Sequence, residues 1–374
     1  VETIFVENFF DGDEMHKNMH VSIENGLIKK LEKKPSHGAD IIKGFLVPGF
    51  VDLQVNGGGG VLFNHSPNLA SLKTMVKTHA SYGSTSILPT IVSDSSEVML
   101  KAADAVAEAI SEKLLGIAGI HFEGPQISKA KKGAHSEEHI RSISDEEWKI
   151  YERKDLGAIL LTVAPETVTL DDVRRLVKMG LKVNIGHSAA NYEQVEELLD
   201  AGADGFTHLY NAMSPLNSRD PGLVGSALLS EKAACGIIMD GIHVHYKSFE
   251  LAAKIKAPGK LYLVTDCMSF LGSEETELNF FNKKIFRQGN ELRSSTGELA
   301  GSNLDMCSAV RNCFNNTEME LSELLRMSSL YPARHMGLEK GCLKKGMAAD
   351  MLLLSHDLRV ENTWLNGIQV SEIF

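Results

Sequence analysis

The chain has 374 residues, 43% of them hydrophobic, with 32 glycines and a formal net charge of -11. That length and apolar content suit one large domain with a small companion, and the acidic balance argues against nucleic acid or an anionic membrane as the main partner. A local anion site is not excluded. Five cysteines, Cys235, Cys267, Cys307, Cys313 and Cys342, form no CxxC pair and read as reduced thiols. No apolar run approaches the roughly 20 residues of a membrane-spanning helix, and the opening VETIFVENFFDGDEMHKN is too polar for a signal peptide. A cytoplasmic protein is the expectation.

Residues 1–46 predict short strands, ETIFVENFF and then NMHVSIENGLIKKLEKK, with Asn25-Gly26 as a hairpin turn. The far end, GCLKKGMAADMLLLSHDLRVENTWLNGIQV, carries further strands around Gly346 and Asn366-Gly367. Assigned together, 1–46 and 341–374 form a small β domain beside a main domain of 47–340. There, apolar runs alternate with helical patterns. The predicted strands are Gly49–Val55, Ser86–Val92, Ile117–Phe122, Ala158–Val163, Lys182–Ile185, Gly205–Thr207, Ala234–Met239 and Leu261–Thr265. The predicted helices are Asn68–Tyr82, Ser96–Leu114, Asp145–Arg153, Leu170–Met179, Tyr192–Ala201 and Tyr246–Ile255.

Eight strands, most followed by a helix, predict a (β/α)8 TIM-type barrel of the α/β class with its chemistry at the C-terminal strand ends. An open doubly wound sheet is the alternative, but VNGGGG lacks the G-x-G-x-x-G spacing that would support dinucleotide binding. Beyond the eighth strand, Lys283–Ser295 predicts a hairpin turning at Gly289-Asn290. Asn303–Leu330 predicts a helix burying Leu304, Met306, Val310 and Phe314.

Polar residues interrupt the apolar runs at the strand exits. The third strand leads into Glu123 (IHFEGP), the fifth into His187 (GHS), the sixth into His208 (THLYNAM) and the eighth into Asp266 (VTDCMS). Each alone is an ordinary polar residue at a strand end. A carboxylate and two imidazoles on one rim match a catalytic metal site that leaves a position open for water. Asp266, not needed as a ligand, is suited to take a proton from that water. The combination points to a metal hydrolase.

The segments PGFVDLQVNGGGG, GIHFEGPQIS, KKGAHS, NIGHSAANY, FTHLYNAMSPL, DPGLVGSAL, MDGIHVH, LVTDCMS and GELAGSNLDM together resemble the N-acetylglucosamine-6-phosphate deacetylases of the amidohydrolase superfamily. The resemblance runs from about residue 46 to KKGMAADMLLL. It implies a barrel with a small β-sandwich built from both termini. It also implies metal-dependent deacetylation of N-acetyl-D-glucosamine 6-phosphate to glucosamine 6-phosphate and acetate, in amino sugar catabolism. The same reaction on N-acetyl-D-galactosamine 6-phosphate is the alternative, and a non-catalytic sugar-phosphate-binding barrel a remote one.

Carried over by position, the resemblance implies Glu123, His187 and His208 as metal ligands, Asp266 as general base and acid, and His135 as a substrate contact that polarises the acetyl carbonyl. It implies Asn211 and Ala212 at the sugar phosphate, Leu299 near the segment closing over the substrate, and Arg219 and His243 on the phosphate, supplied by the neighbouring subunit of a homodimer. Many amidohydrolases carry H-x-H on the first strand; here Gln54 and Asn56 stand instead. One divalent metal per subunit is therefore expected, zinc first, with iron(II), cobalt or manganese open. His121 is placed behind the ligands.

Overall fold

Eight apolar runs between Phe50 and Val264 lie side by side in chain order as a single sheet, each pair parallel. In this computed structural model, which describes residues 2–33 and 41–374, the barrel strands are Phe50–Val55, Ser84–Val92, Gly119–Glu123, Ala158–Val163, Lys182–Ile185, Gly205–Phe206, Ala234–Ile238 and Leu261–Val264. They are covered on both faces, as parallel sheets require, because crossover helices leave neither face wet.

The barrel closes between the last strand and the first just past their ends. Asp266 N donates to Gln54 O at 2.9 Å and Asn56 N donates to Cys267 O at 2.9 Å. Below this seam Thr265 Oγ1 donates to Asp52 Oδ2 at 2.6 Å, and burial pushes the Asp52 carboxyl up to about 7. The closing bonds are therefore made by residues at the rim itself.

Outside the sheet run α1 (Leu69–Ser81), α2 (Ser96–Ser111), α3 (Asp145–Tyr151), α4 (Leu170–Lys178), α5 (Tyr192–Asp200), α6 (Gly222–Leu229), α7 (Tyr246–Ile255) and α8 (Met306–Asn316). Their starts follow from capping chemistry: Ser144, Thr169 and Asn191 form capping boxes with Glu147, Asp172 and Gln194. Sequence reading missed α6. GLVGSALL is buried almost all round, with Pro221 before it and no side-chain cap, so neither a polar face nor a cap residue announces it.

The stretch 303–330 also differs from its prediction. One helix is replaced by α8, Leu321–Ser328 and Leu330–Met336, because Thr317 is extended (φ -136, ψ 170) and its hydroxyl donates to Cys313 O at 2.7 Å. Phe314 is 43% exposed rather than buried. The buried stripe of α8 passes through Met306, Val310 and Cys313, which leaves Phe314 at its edge. The predicted hairpin is present as Lys283–Gln288 and Glu291–Ser294, and a third strand, Glu277–Phe280, adds to it.

Strands from both chain ends form one separate seven-stranded sheet, with Ile42–Pro48 between Glu2–Phe10 and Met351–Leu354. Lys34, at the end of a predicted strand stretch, lies outside the described residues. The sheet buries its own cluster around Val6, Phe9, Leu46, Met351 and Trp364. No helix among the described residues is long and apolar enough to cross a membrane.

One buried cation holds the α6 end of the barrel wall. Lys256 Nζ donates to Ala227 O at 2.8 Å, Ser230 O at 2.5 Å and Ala233 O at 2.9 Å. It thus satisfies carbonyls that the helix end leaves without partners. Lys256→Met keeps the stem and strips all three bonds, so a loss of about 3 kcal/mol is expected, read as a lower denaturation midpoint; an unchanged midpoint would contradict the assignment.

Candidate active site

The rim residues sit where each strand ends because the backbone turns left-handed there. His187, His208 and Asp266 have φ of 47, 36 and 52°, a region costly for residues with a Cβ and frequent at functional sites. Immediately before His187, a Cβ on Gly186 would stand 2.9 Å from Thr162 Cγ2 and 3.0 Å from Thr207 Cβ. Glycine lets the fifth strand run that close to its neighbours.

Three nitrogens converge on one buried carboxylate oxygen. Glu123 Oε1 lies 2.9 Å from Gln54 Nε2, 2.9 Å from His208 Nε2 and 3.2 Å from His187 Nε2. The two imidazole nitrogens are themselves 2.9 Å apart. Burial alone would raise the Glu123 carboxyl, yet hydrogen bonds from His187 and His208 and their charge hold it well below the usual carboxylate range. His208 shifts the other way: burial opposes its protonation, and bonding to Glu123 overrides this and raises it.

Hydrogen-bond roles decide which imidazoles suit a metal. His187 Nδ1 lies 2.8 Å from Lys131 O; a carbonyl only accepts, so Nδ1 holds a proton and, in the neutral ring, Nε2 carries a lone pair. That lone pair faces the Glu123 carboxylate and the second imidazole, an arrangement that calls for a cation between them. His208 Nδ1 is buried without a partner. Glu123, His135 and His187 also offer atoms within 4.8 Å of one another. His135 is different: Ser93 N donates to its Nδ1 at 3.2 Å, which puts the proton on Nε2. Burial and the charge of His187 push the His135 ring down to about 3. His135 is thus a neutral N–H donor at the cavity and a poor ligand, and the donor set that fits a divalent metal is Glu123, His187 and His208.

Asp266 faces the opposite environment from Glu123. Burial and the Glu123 charge raise it to about 6, and its Oδ1 accepts from Asn56 Nδ2 at 2.7 Å and Gln54 Nε2 at 3.1 Å. Both amides land on Oδ1, which leaves Oδ2 as the oxygen able to take a proton. Gln54 and Asn56 therefore point N–H donors at carboxylates where a second cation would need lone pairs. His121 engages Leu53 O at 3.0 Å and Thr162 Oγ1 at 2.8 Å with its two nitrogens, so it braces the barrel interior without reaching the cavity.

A cavity of about 310 Å3 opens on these groups and is lined also by Lys131, His135, Asn211, Ala212, His243 and Leu299. Ala212 is left-handed (φ 51) in the loop after His208. His243, on the loop after the seventh strand, lines the cavity of its own chain, held by Asp240 Oδ2 at 2.6 Å. Arg219 stands exposed and does not line its own chain's cavity. Sequence reading missed Ser93, which orients His135, and Lys131, whose carbonyl orients His187. Both act through groups that carry no motif.

The amidohydrolase family model matches residues 45–370. The chain is 49% identical over 328 residues to the N-acetylgalactosamine-6-phosphate deacetylase of Shewanella sp. (strain ANA-3), covering 87% of this chain and 83% of that protein. It is 35% identical to the N-acetylglucosamine-6-phosphate deacetylase of Haemophilus influenzae, covering 86% and 85%. The structure of N-acetylglucosamine-6-phosphate deacetylase from Pasteurella multocida superposes with a TM-score of 0.93 at 31% identity, over 98% of this chain and 99% of that one. Fold, rim chemistry and these likenesses agree: the chain belongs to the amidohydrolase family.

Proposed function

We propose that the protein hydrolyses the acetamido group of an N-acetylhexosamine 6-phosphate, releasing acetate and the free amine. The observation that carries this is the pairing of a depressed Glu123, bound by two imidazoles, with a raised Asp266 beside it. Two carboxylates pushed in opposite directions divide into a ligand and a proton carrier. A divalent metal on Glu123, His187 and His208 would polarise the amide carbonyl and bring a water's pKa to about 7 in favourable zinc sites.

The residues then act as follows. Asp266 Oδ2 takes the proton of the water that attacks the carbonyl carbon, while its Oδ1 stays anchored by Gln54 and Asn56. His135 Nε2–H donates to the carbonyl oxygen as negative charge develops there. Asp266 returns the proton to the leaving nitrogen as the C–N bond breaks. His243 and the loop at Asn211 and Ala212 hold the sugar phosphate. Zinc suits two imidazoles and a carboxylate, and five unpaired thiols fit a cytoplasmic setting.

For the sugar, sequence reading puts the gluco compound first. The 49% identity to a galactosamine-type deacetylase, against 35% to a glucosamine-type one, favours N-acetylgalactosamine 6-phosphate, and we adopt it. Acetate release should be measured on both sugar phosphates and both unphosphorylated sugars, with metal content taken on the same sample. Expected are about one divalent ion per chain and higher kcat/KM on the galacto phosphate; no release from either phosphate by metal-replete protein overturns the reading.

Asp266→Asn keeps the amide contacts and removes the proton carrier, so metal content should stay near normal while kcat falls by about 10³ or more. Near-normal turnover would remove Asp266 from this role. Because Arg219 stands outside its own cavity, we assign it to the phosphate of a second copy's site, within a homodimer. Arg219→Ala should then raise KM about tenfold with little change in kcat; an unchanged KM refutes that assignment.

A further inference from the structure

A second cavity, about 260 Å3, lies between the hairpin of Lys283–Gln288 and Glu291–Ser294 and the start of α8, lined by Tyr82, Asp240, Arg287, Asn303, Asp305 and Arg311 among others. Its two guanidinium groups come from different elements. Arg287, on the hairpin strand Lys283–Gln288, donates only to the carbonyls of Gly289 (3.2 Å) and Ser273 (2.9 Å). Arg311, on α8, donates to Leu358 O at 3.1 Å and Ser308 Oγ at 2.8 Å. Among the described residues neither is bonded to a carboxylate, although both are half-buried. Each keeps N–H donors to spare, and two such forks on one cavity suit an oxyanion better than any neutral ligand.

The cavity's own carboxylates do not fill that need. Asp240 Oδ1 accepts from the N–H groups of Ile242 and His243, both at 2.8 Å, and its Oδ2 from His243 Nδ1 at 2.6 Å. Asp305 caps α8, accepting from Ser308 N at 2.7 Å and Ser308 Oγ at 2.6 Å. Asn303 also lines the cavity, and its Oδ1 is buried without a hydrogen-bond partner. We propose that this cavity is a binding site for a small phosphate-bearing molecule, separate from the catalytic cavity, with its phosphoryl group between Arg287 and Arg311.

The position has a mechanical consequence. The sheet that carries Arg287 also carries Phe280, which lines the catalytic cavity, and Asp240 holds His243 of that same cavity. An anion bridging Arg287 to Arg311 ties the hairpin to α8, so the hairpin's backbone hydrogen bonds open less often when the site is filled.

Titration calorimetry of the metal-loaded protein with inorganic phosphate tests this, alongside hydrogen exchange over residues 277–294. Arg287→Gln and Arg311→Gln should each weaken one binding component about tenfold or more and abolish phosphate-dependent protection of the hairpin. Arg311→Lys should recover only part of the affinity, because a point charge replaces the fork. Phosphate bound in the catalytic cavity, as the deacetylase reading requires, survives as a second component in the Arg variants. If that reading fails, the wild type shows a single component, which the same variants remove. Phosphate binding and hairpin protection unaltered in both Gln variants would overturn the proposal.

Discussion

The structure turns on one buried oxygen. Glu123 Oε1 receives the Gln54 amide at 2.9 Å and faces two imidazole nitrogens at 2.9 and 3.2 Å, each from a different strand end. Among side chains this buried such interactions are stronger than in solvent, so small displacements of any strand would be costly. That explains why left-handed residues are tolerated at His187 and His208 and why the fifth strand packs through Gly186. The barrel serves as a frame that holds four chain segments, far apart in sequence, against one carboxylate.

Around that oxygen, like groups acquire unlike roles from their partners. Glu123 and Asp266 are both buried carboxyls. Imidazole donors depress the first, and the charge of that first group adds to burial in raising the second to about 6. Hydrogen-bond direction divides the imidazoles in the same way. A carbonyl at Lys131 leaves His187 with a lone pair on Nε2, whereas an N–H at Ser93 leaves His135 with a proton there. Lone-pair donor and N–H donor are thus set by backbone groups behind the ring, a common arrangement around metal sites.

Gln54 and Asn56 give the first strand a different task from that of H-x-H chains. Their amides anchor Asp266 Oδ1, and Gln54 links it to Glu123. Because the barrel seam closes through the same residues, Asp266, the proposed proton carrier, is positioned by the bonds that complete the fold. Catalytic geometry and barrel closure are not separable at this rim.

Much of this was legible in the chain itself. Apolar runs of strand length between amphipathic stretches specify an alternating parallel sheet, and polar residues where those runs end mark the rim, although buried polar residues such as Asp52 and His121 also stand within the strands. Glu123, His187, His208 and Asp266 could be found that way. Local pattern failed where it carried no contrast: α6 is apolar all round, and the break at Thr317 depends on one side-chain hydrogen bond. Tertiary structure alone decided that His243 lines the same cavity as the rim residues, that Ser93 and Lys131 set the histidine tautomers, and that Arg287 and Arg311 share a cavity. Those outcomes rest on backbone groups and on packing between segments distant in sequence. Residue type at a position says nothing about which carbonyl or N–H will stand behind it.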